Sequence, residues 1–409
     1  MRIARQMVLL LALGIATFVT TAEATLLACP FCSAPSLTFS EQLATADAAV
    51  LVQWVSAKKG NAFDDDGLAL EDTTKLIPDR TTYKITQVLR NTKDKTLEKG
   101  QKIELARFRS GKKGDLFLIL GTQGNELEWG SPIEVTETSF NYIAQAPSPE
   151  SDQQKRLAYF LKFLEFPDEM IANDAYAEFA NAPYKDIAQL ADQLPREKLA
   201  GWITNDDTPA TRLGLYGLLL GLCGKESDAE LMQNKITEET EQFRLGMDGI
   251  IGGYLLLSGE EGLKVIEQTK FVKNPDKKVP FSETYAAMQA LRFVWKYADD
   301  RFEPERLRQS MRILLERPEL ADLVIADLAR WKDWSVLEQL MALYDSEEYN
   351  VPSVKRAIVR YLLTCSKDDR QGEDIQPPPR AADAEKALAV LRQKDPRTVK
   401  EAERFFIIN

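Results

Sequence analysis

Two cysteines near the start of the chain, Cys29 and Cys32, have the residue type and spacing that could do chemistry. They stand in the segment CPFC, whereas the other two cysteines, Cys223 and Cys365, lie far along the chain. A C-x-x-C pair can serve as a thiol–disulfide redox centre, as part of a zinc site or as a local disulfide. The surrounding residues help to choose between these interpretations.

A local disulfide is the interpretation that the context favours. A redox pair normally opens a helix after a strand, but no predicted strand precedes Cys29, and Pro35 follows the pair closely. A structural zinc site needs four ligands, and Cys29 and Cys32 supply only two. We therefore expect a disulfide formed in an oxidising compartment, with no metal, no cofactor and no catalytic residue.

Acylation of Cys29 is the alternative that stays open. The segment Leu26-Leu27-Ala28-Cys29 resembles the lipobox of bacterial lipoproteins, in which a small residue precedes the acylated cysteine. This resemblance implies a lipid anchor at Cys29 and a protein held at a membrane surface without a membrane span.

The chain contains no histidine. A Ser-His-Asp triad, a Cys-His dyad and a histidine zinc site are therefore excluded. Attachment of c-type haem is excluded as well, because Ser33 rather than histidine follows Cys32. The common hydrolytic mechanisms are lost, whereas catalysis by carboxylates, lysine or tyrosine stays open. From the sequence as a whole, we expect a protein that is not an enzyme.

Residues 1–24 have the pattern of a secretory signal. Arg2 and Arg5 precede the apolar segment Met7–Phe18, which is too short to span a bilayer as a helix. A small-residue motif then predicts cleavage between Ala24 and Thr25. We expect an extracytoplasmic protein, periplasmic or secreted. The formal net charge of −11 argues against binding to nucleic acid.

Residues 25–146 are predicted to form a small antiparallel β-barrel. Short runs rich in β-branched and aromatic residues are separated by glycines, which is typical of strands joined by turns. Five strands are predicted: Ala48–Ser56, Thr81–Leu89, Gln101–Phe108, Asp115–Gly121 and Ile133–Thr138.

Residues 147–406 are predicted to be helical, beyond a hinge at Ala146–Pro149. Helix-start signals recur at intervals of 32 to 42 residues, at Thr208, Thr240, Ser282, Arg317 and Asn350. Second helices are expected at Ser227, Ser258, Glu303 and Ser335, three of them opened by an S-x-x-E capping box. The pattern predicts a solenoid of stacked helical hairpins.

Several residues of the helical region invite a functional interpretation that packing explains better. Cys223 and Cys365 occupy equivalent slots of distant repeats, so we expect them to be unpaired and inert. Trp331 and Trp334 are expected to pack in the core, and the glycines of residues 246–253 to allow close helix approach. In the first region, Asp64–Asp66 fails the calcium-loop pattern and is interpreted as a solvated loop.

The first region resembles netrin-like modules and the tissue inhibitors of metalloproteinases. The resemblance is carried by the C-x-x-C start, by the phrase Ala46–Val52, and by the later segments Lys102–Leu105 and Gly114–Leu118. It implies an OB-type barrel. In the inhibitors a free amino-terminal cysteine in C-x-C chelates the protease zinc, whereas the spacing here is C-x-x-C and a cut at Ala24 leaves residues ahead of Cys29.

The second region resembles HEAT-type helical repeats in its period and in the helix predicted over 208–223. The combination also resembles secreted bacterial proteins with a CPFC start, which implies no particular activity. We therefore expect an extracytoplasmic binding or scaffold protein with a protein or peptide partner. A thiol–disulfide oxidoreductase using Cys29 and Cys32, and a metalloproteinase-inhibitor-like module, are the alternatives.

Overall fold

A computed structural model describes residues 28–32, 37–60, 77–92, 96–240, 242–273, 279–371 and 375–404. The predicted cleavage site at Ala24 and Thr25 and the acidic segment Asp64–Asp66 lie outside these residues. The chain divides into two compact units, Met1–Cys29 with Ser33–Gln193 and Pro30–Cys32 with Leu194–Asn409. The domain boundary predicted between residues 146 and 147 stays a prediction.

The first unit contains a nearly closed antiparallel β-barrel. Its strand order is β3-β2-β1-β4-β5, and β6 pairs with β4. The strands follow helix α1 (Phe39–Thr45) and are β1 (Ala48–Lys58), β2 (Arg80–Arg90), β3 (Lys102–Leu105), β4 (Leu116–Gln123), β5 (Leu127–Trp129) and β6 (Ile133–Val135). All five predicted strands are present. The sequence did not predict β5, because three residues are too short to show alternation.

Alternate residues of the central strand β1 face the barrel core. Val50 lies opposite Ile119 of β4, and Val52 lies opposite Ile85 of β2. The residues between them, Ala49 and Leu51, are also fully buried. A strand covered on both faces has a continuous apolar sequence, which is why the run from residue 48 to 52 lacks alternation.

Two arginines that follow β3 bridge the open side of the barrel, one to the turn before β6 and the other to β6 itself. Arg107 donates a hydrogen bond of 2.7 Å to Ser131, and Arg109 donates one of 3.1 Å to Glu134. The Arg109 guanidinium also lies 4.6 Å from the centre of the Phe117 ring. Side chains thus close the barrel where backbone pairing stops.

The remaining described elements are helical. In the first unit they are α2 (Glu137–Gln145), α3 (Gln153–Phe160), α4 (Glu169–Ala180) and α5 (Tyr184–Ala188). In the second unit they are α6 (Arg196–Thr204), α7 (Leu213–Cys223), α8 (Glu226–Thr237), α9 (Met247–Ile266), α10 (Phe281–Tyr297), α11 (Pro304–Ile313), α12 (Ala321–Arg330), α13 (Leu337–Tyr344), α14 (Pro352–Cys365), α15 (Ala381–Lys394) and α16 (Pro396–Arg404). Among these described helices, none has the length and apolar character that a membrane crossing requires.

Most predicted helix starts lie within a few residues of the observed ones, but two are wrong. Thr240 lies in a loop, since α9 begins only after Gly246, which has a left-handed φ of 77°. Ser258 lies inside α9, beside a kink at Gly259. The box predicted at Ser227 is wrong too, because the Lys225 amide donates to Asp228 at 2.7 Å instead.

Helices α7 and α9 approach each other through glycines. A Cβ atom on Gly249 would lie 2.0 Å from the Gly214 carbonyl oxygen, and one on Gly253 would lie 2.0 Å from that of Gly217. Such distances leave no room for any side chain, so the predicted close approach is confirmed. The same segments repeat in sequence, as Arg212–Gly221 (RLGLYGLLLG) and Arg244–Gly253 (RLGMDGIIGG).

Candidate functional site

The CPFC segment is closed by a disulfide between Cys29 and Cys32, as predicted. Cys29 is buried, and its backbone amide donates a hydrogen bond of 3.0 Å to the Ala180 carbonyl. Acylation of Cys29 would require the same sulfur atom for a thioether, so the two predictions exclude each other. The lipid anchor stays a prediction.

Phe31, between the two cysteines, is a packing residue of the second unit. Its ring centre lies 4.7 Å from that of Phe293. A Cβ atom on Gly252 would lie 2.5 Å from the Phe31 ring, so the ring fills space that only glycine leaves. Phe31 is buried. The burial of Phe31 favours a structural role for the segment.

The other cysteines, Cys223 and Cys365, are unpaired, as predicted. Burial raises the pKa of each thiol to about 11. Because the thiolate is the nucleophile, both side chains are poorly reactive at neutral pH. Trp331 and Trp334 are buried, which confirms the core interpretation. The indole of Trp334 donates a hydrogen bond of 2.6 Å to Asp368.

A groove on the second unit is the strongest candidate binding site. It consists of two neighbouring cavities, of about 280 Å³ and about 580 Å³, which share Glu238 as a lining residue. We call this feature the α8 groove, since much of its wall is α8 and the loop that follows. It is lined by Thr204, Ser227, Glu230, Leu231, Asn234, Lys235, Thr237, Glu238, Glu239, Thr240, Arg244, Thr269, Lys270, Val279, Pro280 and Glu283.

Three charged side chains form the inner wall of the α8 groove. Glu283 accepts hydrogen bonds from Arg244 at 2.9 and 2.7 Å and from Lys270 at 2.6 Å. Burial alone would raise the pKa of Glu283, but these two cations hold it below its ordinary value. Glu283 therefore stays ionised between Arg244 and Lys270.

The position of Arg244 is fixed by the backbone as well as by Glu283. Its guanidinium donates a hydrogen bond of 2.6 Å to the Lys235 carbonyl near the end of α8. A cation at this place also satisfies the partial negative charge of a helix C-terminus. The inner wall is thus rigid before any ligand arrives, which lowers the entropy cost of binding.

The rim of the α8 groove is exposed and mixed in character. The Glu238 side chain is 63% exposed and lies 3.7 Å from Arg244. Two aromatic residues adjacent in sequence to lining residues are also exposed, although they do not line the cavities themselves. Phe243 precedes Arg244 and is 68% exposed, and Phe281 follows Pro280 and is 50% exposed. Aromatic side chains beside fixed charges suit a partner that offers both apolar and hydrogen-bonding groups.

Sequence reasoning did not find this cluster. Lys270 and Glu283 are separated in sequence by 13 positions, and no spacing rule connects them. One signal was available for Arg244, because the phrase Arg-Leu-Gly occurs at residues 212–214 and again at 244–246. No family model, curated protein or solved structure matches the chain. The site is therefore argued from its geometry.

Proposed function

We propose that this protein is exported and binds a protein or peptide partner in the α8 groove without transforming it. In this proposal the barrel is an OB-like module and the helical region is a HEAT-like solenoid. The solenoid supplies a rigid surface, since each helical repeat packs against its neighbours.

The observation that supports this proposal is the set of fixed charges in the α8 groove, together with exposed aromatic residues next to its lining residues in sequence. Arg244 and Lys270 are held by Glu283, so binding does not have to order them. Phe243 and Phe281 are exposed, and aromatic side chains are frequent anchors of protein interfaces. An extended peptide that crosses the shared residue Glu238 would contact both cavities.

The two alternatives from the sequence receive less support. Thiol–disulfide exchange needs access to a sulfur, and Cys32 is only half-buried, but the anchored Phe31 holds the segment in place. Metalloproteinase inhibition needs a free amino-terminal cysteine. In this structure Cys29 is not amino-terminal, and its backbone amide donates a hydrogen bond to the Ala180 carbonyl.

Selection from a displayed library of random peptides tests the proposal. The full exported chain is immobilised, and several rounds of selection are expected to converge on one motif. A synthetic peptide of that motif should bind about tenfold more weakly to Glu238→Arg. Glu260→Arg, an exposed charge reversal that does not line the α8 groove, is the matched control and should bind normally. Failure of the selection to converge would contradict the proposal.

A further inference from the structure

Another cavity, of about 290 Å³, lies within the first unit. We call it the hinge cavity, since part of its wall is the segment Ala146–Pro149 that the sequence predicts as a hinge. The end of β2, helix α1 and the end of α2 provide the rest. Seven of its lining residues are apolar: Leu43, Ala44, Leu89, Ile143, Ala146, Pro147 and Pro149. A small concave site with apolar walls is the usual form of a ligand pocket.

The hinge cavity contains one cation that is held in position. Arg90 donates hydrogen bonds of 3.1 and 3.0 Å to the carbonyls of Leu43 and Ala44 through a single guanidinium nitrogen. It forms no ion pair with any residue in the described part of the chain. Glu150 also lines the cavity, but it accepts its hydrogen bond from Ser148. Arg90 uses one guanidinium nitrogen for these carbonyls, so its other N–H groups can donate to a ligand.

The hinge cavity also contains a buried hydroxyl. Ser40 is 4% exposed, and its oxygen has no hydrogen-bond partner among the described residues. Burying a hydroxyl without a partner destabilises a folded protein. Because Ser40 lines the cavity, its hydroxyl is a donor and acceptor for a polar atom of a ligand bound there.

We propose that the hinge cavity binds an apolar molecule that ends in a carboxylate. The apolar body packs against the aliphatic and proline walls, and the carboxylate accepts hydrogen bonds from Arg90, the preferred residue for carboxylates. Two sources share this chemistry, a short fatty carboxylate and the carboxyl terminus of a peptide with an apolar last residue. This inference does not depend on partner binding in the α8 groove, so an experiment can disprove one of the two proposals and leave the other standing.

Binding of paired acids and amides to the full exported chain tests this inference. Two pairs of probes are compared. The first is hexanoate and hexanamide, and the second is N-acetyl-alanyl-leucine with a free carboxylate and its amide. Ligand-detected NMR titration measures the binding of each probe. At least one acid is expected to bind about tenfold more tightly than its amide. Whichever acid binds identifies the source. Equal affinity of acid and amide in both pairs, or no binding of either acid, would overturn the inference.

Variants locate the binding in the hinge cavity. Arg90→Gln should weaken acid binding about tenfold and leave amide binding unchanged, whereas Arg90→Lys should retain part of it. Arg80→Gln, on the same strand but paired with Glu104, is the control and should bind normally. Ala146→Phe fills the cavity without changing charge and should abolish binding.

A last variant separates a ligand role of Ser40 from a structural one. Ser40→Ala should weaken acid binding severalfold and yet raise the melting temperature of the ligand-free chain, because it removes an unpartnered hydroxyl. A lowered melting temperature with unchanged affinity would assign Ser40 a structural role and contradict its part in the site. Circular dichroism confirms that each variant is folded.

Discussion

The Tyr142 hydroxyl donates a hydrogen bond of 2.6 Å to Asp174, and the second oxygen of that carboxylate accepts one of 2.6 Å from the Phe39 amide. The carboxylate thereby joins the start of α1 to α2 and α4 within the first unit. Burial raises the pKa of Asp174 to about 6, although both hydrogen bonds oppose the shift. The negative charges of Glu178 and Glu41 add to the increase.

The raised pKa of Asp174 predicts that the contribution of this residue to the free energy of unfolding falls as pH rises from 4 to 6. In that range the folded state holds a proton that the unfolded state, with its ordinary pKa near 3.9, has released. The contribution of Asp174 to the free energy of unfolding should fall by about 2 to 3 kcal/mol over this range and level off above pH 6. Asp174→Asn should remove this dependence, because its amide oxygen can still accept from the Phe39 amide while its amide nitrogen donates to the Tyr142 hydroxyl oxygen. Urea unfolding of the wild type and of Asp174→Asn across this range measures the difference between their unfolding free energies. Parallel curves of unfolding free energy against pH would contradict the raised pKa of Asp174.

The glycine contact between α7 and α9 predicts a severe effect of a single methyl group. Gly253→Ala places a carbon 2.0 Å from the Gly217 carbonyl, so the helices must separate. We expect destabilisation of about 3 kcal/mol. Gly201→Ala is the matched control, since its Cβ atom meets nothing within 4 Å in α6. Alanine there should stabilise by about 0.5 to 1 kcal/mol. Similar melting temperatures for the two variants would refute the close contact.

The buried cluster of the α8 groove predicts unequal costs for two Glu→Gln substitutions. Glu283→Gln removes the carboxylate that neutralises Arg244 and Lys270, and breaking such a pair costs about 3 to 5 kcal/mol. Glu104→Gln breaks an exposed pair with Arg80 and should cost at most about 1 kcal/mol. Chemical denaturation measures both. A cost below that of the control would show that the cluster is not buried in solution.

The cysteine assignments predict a defined thiol count. In the folded protein almost no cysteine should react with a thiol reagent. Cys223 and Cys365 are protonated thiols, and Cys29 and Cys32 form a disulfide. The protein denatured without reductant should present two reactive thiols. The protein denatured with reductant should present four. Mass spectrometry of the purified protein tests the proposed export as well, and an unmodified start at Thr25 is expected. Detection of a thioether-linked lipid on Cys29 would contradict the disulfide and support the lipid anchor.

The sequence predicted the strands and the packing role of Trp334 because both follow local patterns. Alternation and β-branched composition mark a strand regardless of what lies elsewhere in the chain. The start of α9 was missed, since it depends on the backbone of Gly246 rather than on a capping side chain. The Arg244–Glu283–Lys270 cluster depends on tertiary packing of three segments, and a single sequence carries no signal for such pairings.

Hydrogen-exchange mass spectrometry with and without the selected peptide tests the central claim most directly. The full chain is measured in both states, and peptide binding should slow amide exchange in α8, in residues 238–240 and in residues 242–246. Glu238→Arg, at the same peptide concentration, should lose that protection. Protection confined to the barrel strands, with α8 unchanged, would contradict the assignment of the α8 groove as the binding site.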